Sequence, residues 1–166
     1  MSSRTKKIAL LAMFAALALG IYGLEILIPN PFPIPGIKLG LANIVTLVVL
    51  KRYGFRSAAL VLTVRILLSV LLFGSVMSLL YSAVGGALCL TAEFFINKLL
   101  KDHALYIVAI FGALAHNVGQ ILVAFAITRV PGVMLYAPYL FIAAILTGLF
   151  TGLCAHFSLK LIPQSE

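Results

Sequence analysis

Between Lys7 and Pro29 the chain carries 21 residues, Ile8 to Ile28, with Glu25 as their only charged side chain. A helix of that length rises about 31 Å, enough to cross a hydrocarbon core of roughly 30 Å, and it is longer than the apolar region of a cleaved signal peptide. Apolar runs of similar kind recur at 57–73, 76–97, 104–128 and 138–162. The predicted fold class is therefore all-α, an integral membrane bundle. Composition agrees, since 63% hydrophobic and 10% charged residues leave too little polar surface to cover a soluble globule. The 166 residues suffice for one bundle with short loops, read as a single transmembrane domain, 1–166.

The stretch between the first and third runs is different in kind. Pro29, Pro31, Pro33 and Pro35 precede Lys38, and the apolar run that follows, Leu39 to Leu50, is only twelve residues long. That is about 18 Å of helix, too short to cross alone. For this helix, placed at 38–53, to cross the bilayer, the proline segment must supply the missing depth. Irregular backbone is tolerated at that depth only where it is buried in protein or lines a wet cavity, so a binding cavity is expected beside it.

Six transmembrane helices, about 8–28, 38–53, 57–73, 76–97, 104–128 and 138–162, put both termini on one side. Arg4, Lys6, Lys7, Lys51, Arg52, Arg56, Lys98, Lys101 and Lys160 then share that side, which the positive-inside rule makes cytoplasmic. Most of the net charge of +8 is explained in this way, and no nucleic-acid partner is expected. Cys89 and Cys154 fall inside apolar runs without metal-ligand spacing and are read as packing residues. Neither a metal site nor a cofactor is predicted. There is no phosphate-binding G-x-x-x-x-G-K-[ST] loop, and the four acidic residues are too scattered to hold Mg²⁺ against a diphosphate. No catalytic residue is predicted, and the chain is read as a non-enzyme.

Topology leaves Lys38 and Arg129, at outer helix ends, and Arg65, in mid-membrane, without an explanation. An ionisable residue at the bilayer centre normally faces the bundle interior with a partner. Arg65 either pairs with Glu25 or joins Lys38, with Arg129 as a further candidate, in a cationic pocket for an anionic ligand. Both hold if Glu25 supports Arg65 until ligand arrives. His116 and Gln120 lie four apart with Asn117 beside them, serving either as interhelical glue or as ligand contacts. Asn43 and Thr46 on helix two either cap broken backbone or add to the site. Tyr81, on a face of helix four with Ser78, Ser82 and Gly85, is a candidate stacking surface. Glu93 is expected to serve Asn97 or Lys101 on its own helix. Small residues at Ala9, Ala12 and Ala16, and again at Ala144, Gly148 and Gly152, offer faces for close helix approach.

Pro35-Gly-Ile-Lys-Leu-Gly-Leu-Ala-Asn43, Arg65, Ser82-Ala-Val-Gly-Gly86 and Ala113-Leu-Ala-His-Asn-Val-Gly-Gln120 together resemble the bacterial Gx transporter family, whose members are also labelled heptaprenyl diphosphate synthase component I. That family in turn resembles the S components of energy-coupling factor (ECF) transporters. The resemblance implies a six-helix protein of the bacterial cytoplasmic membrane that binds a vitamin or precursor near the outer face. It also implies dependence on a transmembrane coupling protein and two ATPase subunits. Ala9-Leu-Leu-Ala-Met-Phe-Ala-Ala16 is similar to the alanine motif by which S components dock on the coupling protein. The component I label implies an accessory membrane subunit in polyprenyl diphosphate or quinone biosynthesis. The chain lacks the aspartate-rich motifs of prenyl synthases.

Overall fold

In the computed structural model, residues 3–28, 38–73, 76–100 and 104–161 are described. They form α1 (Ser3–Leu27), α2 (Asn43–Tyr53), α3 (Phe55–Phe73), α4 (Val76–Leu100), α5 (Leu105–Thr128) and α6 (Ala137–Leu161), with a 3₁₀ turn at Pro131–Tyr136 ahead of α6. No strand occurs among the described residues. α1, α3, α4, α5, and α6 together with its 3₁₀ lead-in, are long and apolar enough to cross a membrane. Leucines cover the outer surface, with Leu24, Leu71, Leu72 and Leu146 largely exposed, as suits contact with lipid chains.

Helix two departs from expectation. It begins at Asn43, not Lys38, and its 11 residues rise only about 16 Å, so it is not among the helices able to span. Gly40 takes a φ of +80°, a left-handed conformation incompatible with helix, and Leu41 and Ala42 form a turn. Five helices able to span are thus described, and a sixth crossing would have to draw on residues 29–37, which lie outside the described residues. α2 is nevertheless the centre of the molecule: Val45 and the unbroken stretch Leu47 to Leu50 are all buried, against α1, α3, α4 and α6. A helix apolar on all sides belongs in such a place.

The other half of the bundle is drawn together by small residues. A methyl group at Gly148 would stand 2.5 Å from the Cα of Ile110, and one at Gly119 would stand 2.8 Å from the Cα of Gly85. α4, α5 and α6 thus touch backbone to backbone. The stripe Ala144, Gly148 and Gly152 is buried in this contact, as its spacing predicts.

Candidate anion-binding site

Tyr22 and Glu25, three apart on α1, share an inward face and are 3% and 5% exposed. Glu25 reaches the stretch ahead of α2, where Oε1 accepts from the backbone N–H of Gly40 (2.6 Å) and Oε2 from that of Leu41 (3.1 Å). One carboxylate thereby satisfies two donors that no helix serves. Gly40 is needed there for a second reason besides its φ: a Cβ would lie 3.2 Å from the His116 ring.

So held, the stretch directs Lys38 into the bundle. Its Nζ donates to the Tyr22 hydroxyl at 2.6 Å and lies 3.8 Å from the ring centroid. The same hydroxyl is 2.5 Å from Ser78 Oγ of α4, and the Ser69 side chain of α3 also faces it. Arg65, one turn before Ser69, places its Cζ 5.8 Å from the Tyr22 ring. It is 3% exposed, and its Nε and Nη2 have no hydrogen-bond partner among the described residues. Four elements thus converge on Tyr22.

Of the two alternatives for Arg65, a direct hydrogen-bonded pair with Glu25 is not formed among the described residues. Each oxygen of Glu25 accepts from a backbone N–H, and its charge acts on Lys38 and Arg65 through space. Two cations face one carboxylate, which leaves one positive charge over in a buried site.

A second polar group lies beneath the same stretch. The His116 ring lies against Gly85, and its Nε2 is 2.9 Å from the Gln120 amide nitrogen. That amide also donates to the Lys38 carbonyl at 3.0 Å, while Gln120 Oε1 is buried without a partner among the described residues. The Asn43 amide nitrogen lies 3.3 Å from His116 Nδ1. Asn43, His116 and Gln120 thus lie together, beside the backbone carbonyl of Lys38.

The remaining candidates lie elsewhere. Asn117 donates to the Leu140 carbonyl at 2.7 Å and ties α5 to α6. Tyr81 packs with Ile121, Ala124 and Leu140 in a separate apolar cluster. Arg129 is the exposed left-handed residue that ends α5. Ala9, Ala12 and Ala16 are exposed along one side of α1. Glu93 does not bond Asn97, which accepts from Lys51 at 2.7 Å, and Lys101 lies outside the described residues. Sequence reasoning passed over Tyr22 and Ser69, although each sits one helical turn from a singled-out charge, Glu25 and Arg65, and so on the same face.

A family model described as heptaprenyl diphosphate synthase component I matches residues 14–159. No curated protein and no solved structure matches the chain.

Proposed function

The chain belongs to the heptaprenyl diphosphate synthase component I family, and from that premise we propose that it is the substrate-binding membrane component of an ECF-type uptake transporter for a small anionic vitamin, cofactor or precursor. The observation that carries this reading is Arg65, a buried guanidinium with two nitrogens unpartnered among the described residues, set beside Lys38 and Tyr22. Guanidinium and ammonium groups gathered at the Tyr22 ring suit a carboxylate or phosphate, and a ligand there completes hydrogen bonds that the described residues leave open. In this reading Lys38, Asn43, Arg65, His116 and Gln120 contact ligand, Tyr22 supplies a hydroxyl, and Glu25 holds the wall. Asn117 and Tyr81 shape the helices behind them.

The reading requires six crossings with both termini in the cytoplasm and residues 29–38 near the outer face. Cysteine-accessibility labelling checks this: a cysteine placed at Ser2 should react only from the inside, and reaction from the outside contradicts the topology.

Coupling is carried by the exposed alanines. Substituting Leu at Ala12 or Ala16 should abolish co-purification with a coupling protein and its ATPases, and with it uptake, while ligand stays bound. Joint loss of folding and binding would instead make these residues packing positions.

A second reading, an accessory subunit for polyprenyl diphosphates, is favoured by one feature. Leu10, Met13, Phe14, Leu17 and Ile21 of α1 line an apolar groove of ≈ 570 Å³ with Ile44, Val45 and Val48 of α2. A hydrocarbon chain lying there would have its head group toward Lys38. The two readings differ in the bound molecule, a water-soluble anion or a prenyl diphosphate.

A further inference from the structure

Glu93 lies about two turns from the inner end of α4, is 2% exposed, and has no part in the anion site. Its carboxyl group presses on α5 at Gly112, where a Cβ would stand 2.6 Å from Cγ and 2.7 Å from Oε1. Only glycine leaves room for it. Oε1 accepts from the Cys89 thiol at 3.5 Å, a weak donor, and Oε2 has no partner among the described residues. A cavity of ≈ 10 Å³, the space of one water or one bare ion, is lined by Glu93, Cys89, Asn43, Thr147 and Thr151, with Leu39 and Gly40 above.

An isolated carboxylate is strongly disfavoured in such surroundings and persists only if something neutralises it. Among the described residues no cation pairs with it. The titratable and charged groups around Glu93 are Cys89 on its own helix, Arg65 of α3, whose charge acts on Cys89, and His116 of α5, one turn from Gly112. The His116 nitrogens are already engaged by Asn43 and Gln120. The stretch ahead of α2, α2 itself and α6 bring only neutral groups to the cavity. Thr147 and Thr151 donate to the α6 carbonyls of Ala143 and Gly148, which leaves their oxygen lone pairs as acceptors.

We propose that Glu93 is the carboxylate of an exchangeable monovalent-cation site, taking a proton or Na⁺ in the cavity it shares with Asn43, Thr147 and Thr151. Either cation neutralises the carboxylate and finds oxygen acceptors in the threonine and asparagine side chains. The roof, Leu39 and Gly40, belongs to the stretch that Glu25 holds and that carries Lys38. Release of the cation leaves a charge beneath that roof, which water must enter to solvate, so occupancy bears on the wall of the anion site.

Infrared spectra of the full chain in lipid, taken from pH 5 to 9 in NaCl or choline chloride, test this. The expected result is a protonated-carboxyl band, absent from Glu93→Gln, that is lost on raising the pH or on adding Na⁺ at fixed pH. Response to pH alone identifies the proton as the resident cation, and displacement by Na⁺ but not choline identifies Na⁺. Should Glu93→Gln fail to fold, Thr151→Val serves instead, removing one acceptor at nearly constant shape and moving the pH or Na⁺ midpoint by about tenfold in concentration. Absence of any Glu93-dependent carboxyl signal, or a signal unchanged at every pH and salt, overturns the proposal. The readout needs no ligand at Lys38 or Arg65, so failure here leaves the anion site standing.

Discussion

Arg65→Met is expected to weaken binding of the anionic ligand by about 2 kcal/mol or more, roughly 30-fold in Kd, while the bundle stays folded. The loss is large because a desolvated charge that pairs with ligand is removed. Survival of the fold follows from the same geometry: Nε and Nη2 make no hydrogen bond to the described protein, so no partner is orphaned. An apolar chain of similar length in place of a buried charge is often neutral or stabilising. Equilibrium binding and thermal unfolding in detergent, measured on the same samples, separate the two effects. Arg65→Met binding as tightly as the parent, while Glu25→Gln alone unfolds the protein, would make Arg65 a structural residue.

Glu25→Ala is expected to cost about 3 kcal/mol of stability and to weaken ligand binding as well. Two half-buried N–H groups, at Gly40 and Leu41, lose their acceptor together, and Lys38 and Arg65 lose a carboxylate that offsets them. Glu25→Gln, which keeps one acceptor oxygen, should recover part of the stability but not the electrostatic support. Hydrogen exchange localises the effect: the Gly40 and Leu41 amides should exchange much faster in Glu25→Ala while amides of α4 and α5 change little. Uniformly faster exchange throughout the bundle would mean that Glu25 supports the whole fold and not this stretch.

These two substitutions probe the part of the molecule that was only partly legible in the sequence. The long helices were plain, because a run such as Ile8 to Ile28 has one physical solution in lipid. Arg65 was plain for the same reason, since a charge at that depth must be housed. The partner of Glu25 was not legible. Periodicity assigns Glu25 a face and a depth, but its ligands are backbone N–H groups at Gly40 and Leu41, and backbone groups carry no sequence signature. The start of α2 was misplaced for a related reason: the apolar run continues through Leu39 and Leu41, and the positive φ of Gly40 that breaks it is a property of the folded chain. Glu93 was read as a local helix partner because Asn97 and Lys101 stand at the right spacing. Its burial arises from Gly112 on another helix, and Asn97 is drawn off by Lys51. Tyr22 and Ser69 were within reach, each one turn from a residue already marked.

The central claim is that Tyr22, Lys38 and Arg65 enclose a binding site for a small anion. Native mass spectrometry of the protein purified from its membrane, followed by identification of the released molecule, tests it most directly. The parent chain should carry a stoichiometric acidic molecule that Arg65→Met loses: a water-soluble vitamin or precursor under the uptake reading, a prenyl diphosphate under the second. A neutral molecule in the parent chain, or the same anion retained at full occupancy by Arg65→Met, would contradict it.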